Sequence, residues 1–410
     1  MSNPGALGAA VYSPESSPAN FGEDVTTFNT LRVPIIKPID VSKLQHPKID
    51  PKRVVQYRND NTQFILGPMG GSFDTTIYLP GHGSTTAGAT TLGLTETFLG
   101  YVLGNVAVSA AAGTTLTGGT ATVPITTASG TFTPGALCRI GSINDARGNG
   151  QFAAIATHVT TNLTLLTAID GAPNNGDVLY SAVNFYPSEN PTTTQITGLR
   201  FLLLTANLCY EVHGCYPMSW TLSGFNPGEI PTCTITWGVS WWRYSTVTFP
   251  SVVATEQFQP APTAGGSVFV QAFGTATRQK FSARNLSVTY KLGMEPLDGP
   301  GGANQYQKCV GARRTPDVID VKFTIDADAQ TLTPALDTLA IGTVGQQLLA
   351  TLNPAIGAAI GVYFPNLMIS QRSLQRIDKN VNRYDFVARA ACSTTTTSDL
   401  TLSAMRMAFA

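Results

Sequence analysis

Charge is what this sequence has least of. Asp, Glu, Lys and Arg make up only 12 % of the 410 residues, and 25 basic residues balance 25 acidic ones, so the formal net charge is zero. A protein that coats nucleic acid carries a basic excess and an acidic solvating tail carries the opposite, so both classes are excluded. Histidine is rarer still, at four residues, and the six cysteines (Cys138, Cys209, Cys215, Cys233, Cys309 and Cys392) lie far apart. That spacing is not the dense framework of a disulfide scaffold; the thiols read as reduced, mostly buried side chains. No run of about 18 apolar residues is present to span a membrane as a helix. The opening Met1-Ser-Asn-Pro-Gly5 has neither the charged nor the apolar region of a secretion signal, so synthesis in a cytoplasm is expected.

Catalytic signatures are missing too. The chain has no Gly-x-x-x-x-Gly-Lys-Ser/Thr loop, no Gly-x-Gly-x-x-Gly opening a helix, no Gly-x-Ser-x-Gly and no His-Glu-x-x-His. The best constellation left is Cys209-Tyr-Glu-Val-His-Gly-Cys215. As a strand it puts Cys209, Glu211, His213 and Cys215 on one face, with Cys233 on a neighbouring strand. At about 3.3 Å per residue those four spread over roughly 20 Å, so they diverge instead of converging on a metal. They read as the inner face of a barrel. Asp326, Asp328 and Asp337 offer carboxylates for hydrolysis but read as turn-flanking residues. Arg313-Arg314 read as a salt-bridge site between subunits before a phosphate site. Trp237, Trp241 and Trp242 read as core or subunit interface before a sugar platform. No catalytic, cofactor-binding or metal site is therefore assigned; no cofactor and no enzyme activity are expected.

The missing charge is replaced by small polar and turn residues: 54 Thr, 39 Gly and 26 Pro. Thr is β-branched and suits a pleated, half-exposed surface, while Gly and Pro punctuate turns. A mainly β protein follows. A surface so poor in charge does little to keep molecules apart, and it reads as one covered by copies of the same chain.

Texture along the chain suggests its organisation. Residues 1–54 read as an extended N-terminal arm. Basic residues run from Arg32 to Arg58 and prolines stand at 34, 38, 47 and 51. Val33, Ile35, Ile36, Ile39 and Val41 would be wasted in solvent, so the arm is expected to lie on a neighbouring subunit. A first β domain is expected over 55–104 and 187–258. Phe73, Thr75, Ile77 and Leu79 alternate in it, and Leu94, Phe98, Tyr101 and Val102 fall on one side of a short helix. Short apolar runs between turns over 105–186 read as an inserted small β-barrel or sandwich. A Pro/Ala/Thr linker at 259–265 precedes a second β domain over 266–410. The two β domains match in pattern, with Gly70–Leu79 laid against Asp317–Ile325 and Leu92–Leu103 against Leu332–Ile341.

Four stretches resemble the tail tube proteins (major tail proteins) of long-tailed bacteriophages, of the duplicated-domain type. They are Gly198–Leu204 with Tyr210–Ser223, Pro227–Gly238, Ala283–Tyr290 with Met294–Pro296, and Phe364-Pro365 with Ile369–Ala390. The resemblance implies two tandem tube-type β-sandwich or barrel domains, each with a short flanking helix. It also implies a virion protein whose trimeric, pseudo-hexameric rings stack into a hollow tail tube that delivers double-stranded DNA. Implied partners are other copies of the chain, the tape measure protein and DNA in the lumen without sequence-specific binding, the tail terminator, and baseplate or tip proteins. The low count of cations over 61–199, two basic against six acidic residues, agrees with a lumen that does not grip phosphate. The alternative is a capsid or decoration protein, or an adhesin that binds a host surface through the inserted module.

Overall fold

The computed structural model describes residues 9–24, 32–33, 35–45, 48–49, 65–66, 69–82, 92–108, 113–126, 132–141, 150–169, 171–187, 196–205, 208–226, 228–245, 247–250, 267–272, 279–299, 307–328, 345–352, 357–378, 381–392 and 399–410. Within them the chain is mainly β. It opens with β1 (Ala9–Pro14), β2 (Arg32–Val33), β3 (Leu44–Gln45), β4 (Lys48–Ile49), β5 (Ile65–Leu66) and β6 (Gly70–Tyr78), then helix α1 (Leu94–Leu103). Next come β7 (Gly104–Val108), β8 (Gly113–Gly119), β9 (Pro124–Thr126), β10 (Leu137–Gly141), β11 (Phe152–Val159), β12 (Asn162–Leu165), β13 (Asn175–Ser181) and β14 (Val183–Pro187). The longer strands follow: β15 (Leu199–Thr205), β16 (Leu208–Ser223), β17 (Thr232–Val239), β18 (Trp241–Tyr244), β19 (Ser267–Ala272), β20 (Gln279–Asp298) and β21 (Cys309–Asp328). The chain closes with β22 (Gln346–Leu352), β23 (Ile360–Asp378), β24 (Val381–Ala390), the one-turn helix α2 (Asp399–Leu402) and β25 (Arg406–Phe409).

Two assemblies of strands result. Strands β8 to β13 close into a six-stranded barrel in the order β10-β11-β12-β9-β8-β13. Its stem is the antiparallel pair β7 and β14, with Val108 opposite Val183. Most remaining strands form one 17-stranded sheet system. Alternation builds its central part. Phe73, Thr75 and Ile77 of β6, Cys233, Ile235 and Trp237 of β17, and Trp220 and Leu222 of β16 all point inward. Val288 and Tyr290 of β20 and Ile319, Val321 and Phe323 of β21 continue the same apolar layer. One hydrophobic core therefore runs from Ala10 to Phe409 and draws on both halves of the chain.

Helix α1 covers this core with Phe98, Leu99, Val102 and Leu103. Its buried side is turned from the expected one, for Tyr101 lies at the rim with 36 % exposure. The helix starts where the Glu96 carboxylate accepts from the Gly93 N–H at 2.6 Å and stops at left-handed Gly104.

The N-terminal segment corrects an expectation. Its apolar residues need no neighbouring subunit. Strand β1 pairs along its whole length with β15, and Val33, Ile39 and Leu44 belong to the main core, with Ile35 and Val41 packed against it. The two segments matched as a repeat are both half-buried strands over the same core. Their places differ: β6 lies outside β17, whereas β21 runs between β20 and β24. The expected linker at 259–265 and the second helical stretch, Leu332–Ile341, lie outside the described residues.

The barrel is not a free appendage. Phe152, Leu137 and Ala154 leave its wall and pack on Leu349, Ala359, Tyr363 and Ala408 of the body. Leu400 of α2 enters the barrel's own core beside Leu116, Leu163 and Leu179. Arg406, 1 % exposed, donates to the carbonyls of Leu400 and Thr401 and lies over the Tyr363 ring at 5.2 Å. Burial lowers its pKa to about 10.

Candidate functional site

Two features stand out: an outer sheet face and a buried polar knot. The face is the reverse side of the strands that build the core. Because side chains alternate, burying Phe73, Ile235, Trp220, Val288, Val321 and Phe386 turns their neighbours outward. Register places Thr76, Thr234, Thr221, Thr289, Asp320 and Arg389 in one row across β6, β17, β16, β20, β21 and β24. Beside it run Tyr78, Thr232 and Ser223 on β6, β17 and β16, and Ser287, Lys322 and Val387 on β20, β21 and β24. Hydroxyls bond to each other across strands, Thr76 to Thr234 at 3.1 Å and Ser223 to Thr232 at 2.9 Å. They also bond to carboxylates, Thr236 to Asp74 and Thr324 to Asp385, each at 2.7 Å. The few charges are partly self-paired: Lys43 with Asp74 at 3.3 Å and Arg389 with Asp320 at 3.4 Å. The face divides at the β16–β20 pairing into two three-stranded halves, β6-β17-β16 and β20-β21-β24. Such a surface offers neutral hydroxyls to whatever lies on it and holds a phosphate chain weakly.

The knot lies under a strap, residues 15–24, which leaves β1, makes a 3-10 turn at Pro18–Asn20 and crosses β15, β16 and β18. Phe21 plugs it into a small core with Tyr216, Cys309 and Ala312. Trp241 donates its indole N–H to the Gly22 carbonyl at 2.7 Å, and Gln307 donates to the Phe21 carbonyl at 3.0 Å. His213 Nδ1 lies 2.9 Å from the Glu23 carbonyl, and its ring stacks on Trp241 at 4.0 Å. Arg243 joins Asp24 of the strap at 2.9 Å to Glu211 of β16 at 2.6 Å.

Two buried carboxyls here have opposite fates. Burial alone would raise the Glu211 pKa. Bonds from His213, Ser245 and Arg243 outweigh it and hold the group at about 2. Glu15 is raised to about 8, chiefly by burial. Its Oε1 accepts from the backbone N–H of Gly22 at 2.9 Å and of Gly214 at 2.8 Å, which offset the burial only in part. Gly214 sits at φ +58°, and a Cβ there would meet Ser240 and the Phe21 ring, so glycine is required for β16 to bend under the strap.

Glu211 and His213 are brought together, 3.7 Å apart and fully buried. Cys215 and Cys233 are core residues, Cys209 is half-buried, and none of the six cysteines forms a disulfide. No group of three or more His, Cys, Asp or Glu able to hold a metal occurs among the described residues. Asp337 lies outside those residues, and Asp326 and Asp328 enter only through the backbone pairing of β21. Arg313 pairs with Glu295 of the same chain across the β20–β21 hairpin, which gives it a partner without a second subunit. Trp237 is wholly core, Trp241 holds the strap, and Trp242 is half-buried beside Tyr210 and Tyr244. No helix among the described residues is long and apolar enough to cross a membrane.

Sequence reading missed Glu15, Glu23, Arg200, Arg243 and Gln307. They converge from positions up to 292 apart in number and share no spacing; Gly22 and Gly214 were the only local signal. No protein-family model matches the chain, and no curated protein sequence matches it significantly.

Proposed function

We propose that the chain is a structural subunit of a bacteriophage tail tube. Copies join into rings, rings stack, and the hollow tube conducts double-stranded DNA as part of the virion. The observation that carries this reading is the sheet face, lined by hydroxyls across β6, β17 and β16 and bearing only a few charges, among them Asp320, Lys322 and Arg389, across β21 and β24. A duplex passing over it meets few unpaired cations, so it slides instead of being held. Two further features support it. Each half of the chain supplies three strands of that face, as a ring of three subunits mimicking six would need. Among the described residues, β18 pairs only with β16, and the stretch Gln371–Asp378 of β23 pairs only with β24, so strand edges remain for another copy to join. Negative-stain microscopy and native mass spectrometry of the purified protein test the proposal. Rings of three chains and stacked tubes are expected; a monomer at every concentration, or closed shells, overturns it.

One observation favours a second reading as a host-surface adhesin. Tyr244, 59 % exposed, forms an aromatic ledge with Tyr210 and Trp242. Glycan binding by the isolated monomer, lost in Tyr244→Ala, would favour it.

A further inference from the structure

Glu15 is 3 % exposed and sits where the strap meets the bend of β16. One oxygen takes both backbone N–H groups, while Oε2 is buried with no hydrogen-bond partner. Gly198 leaves that oxygen its room, since a Cβ there would overlap it. A neutral carboxyl tolerates this pocket far better than a carboxylate, whose bare oxygen has lost its water. We propose that Glu15 makes the strap a pH-operated latch, closed while its carboxyl is neutral and released as it ionises.

The surroundings agree. Glu23 on the strap, Arg200 on β15, Cys215 on β16 and Cys309 on β21 interact with Glu15, while Asp24, Glu211, His213 and Arg243 complete the surrounding knot. The Arg200 guanidinium lies 3.9 Å from Glu23 and donates to the Pro14 carbonyl; its charge favours the Glu15 carboxylate, but less than burial opposes it. Glu23 adds repulsion. Glu211 is held ionised beside Arg243, and burial keeps the Cys309 thiol at about 11 and that of Cys215 well above its usual value. His213 also anchors the strap, through its contact with the Glu23 carbonyl. The strap has few backbone bonds of its own, Asn20 to Ser17 and Glu23 to Asn20, so its closure depends on these anchors. Release would uncover Phe21, Trp241 and Cys309 while β1 stays paired in the sheet.

The sign follows from linkage. The closed strap binds the Glu15 proton more tightly than the open one. Closure is therefore firmest below the ordinary carboxyl pKa of 4.5 and weakens as pH rises towards about 8. The open fraction should grow by up to about tenfold per pH unit in that window and level off above it.

Hydrogen exchange of the full chain between pH 6 and 9, corrected for intrinsic rates, tests this. Peptides spanning 15–24 should open with that slope, while peptides of 232–239 in β17 stay constant. Glu15→Gln should remove the slope and His213→Gln should keep it. A flat wild-type profile, or an equal slope in Glu15→Gln, overturns the latch. If Glu15→Gln does not fold, wild type and His213→Gln still decide: a slope that vanishes in His213→Gln assigns the response to the imidazole and overturns the proposal.

Discussion

In the barrel every strand from β8 to β13 is hydrogen-bonded on both sides, whereas in the main sheet β18 and the outer stretch of β23 are paired on one side only among the described residues. Both regions use the same Thr-rich, charge-poor vocabulary. Closing the barrel removes its edges, so it cannot grow by adding strands. The open sheet buries one face in the core and leaves the other face and its edges to solvent or to other copies. A further difference runs the other way. The sheet has a core of its own, while the barrel borrows Leu400 and leans Phe152 and Leu137 on the body. Being closed has not made it independent.

The comparison breaks most plainly by removing the barrel. Replacing residues 113–181 with a short Gly/Ser link between β7 and β14 would bare Leu349, Ala359, Tyr363 and Ala408. We expect an insoluble or unfolded product, checked by circular dichroism and sedimentation. A soluble body with unchanged unfolding would show that the seam contributes nothing. One step smaller is Phe152→Ala. Phe152 is fully buried, and the Gly361 backbone packs against its ring so closely that a Cβ there would overlap it. The cavity should cost about 3–5 kcal/mol by denaturant unfolding.

That seam was partly legible. Phe152-Ala-Ala-Ile155 is a continuous apolar stretch and Leu137-Cys-Arg-Ile140 is one but for Arg139, and both are buried on two faces. Asn162-Leu-Thr-Leu165 alternates and is buried on one. Continuous runs mark strands covered on both sides, so the barrel's attachment was written in its pattern. The mainly β class, α1 and the inward faces of β6 and β17 follow from Thr content and periodicity. The integration of the N-terminal segment does not. Only the tertiary pairing of β1 with β15 shows where its apolar residues go. The knot was legible only as Glu211 and His213, because Glu15, Arg243 and Gln307 reach them through long-range contacts that leave no period.

Within the open sheet, threonines on opposite faces should behave differently. Thr75 faces the core and accepts the Trp237 indole N–H at 2.9 Å. Thr75→Val keeps the shape but leaves a buried donor unmatched, at about 1–3 kcal/mol. Thr234→Val, on the outer face, should cost less than about 1 kcal/mol. Equal losses in thermal unfolding would mean that the outer face is not outer.

A narrower effect is confined to acid. Glu211 has its pKa lowered to about 2 in the fold against 4.5 ordinarily. Its contribution is present above pH 4.5 and is lost as pH falls from there towards 2. Unfolding by urea at pH 3 and pH 6 should show a fall that Glu211→Gln reduces. An identical fall in both proteins would mean that the Glu211–Arg243 pair does not hold its carboxylate down.

The smallest effect on stability is the most informative about the open face. Thr234→Lys with Thr289→Lys adds two cations that are not cross-strand neighbours, since Thr221 lies between them. The fold should lose less than about 1 kcal/mol. Thr115→Lys with Thr157→Lys makes the same change on exposed positions of the barrel. Each pair should raise the salt dependence of duplex binding by about two phosphate contacts. The two pairs should part company once tubes assemble. If the hydroxyl face lines the lumen, DNA held by the first pair is shielded from nuclease, while DNA held by the barrel pair is digested. Equal digestion for both would place the hydroxyl face on the outside, where low charge has nothing to do with letting DNA slide.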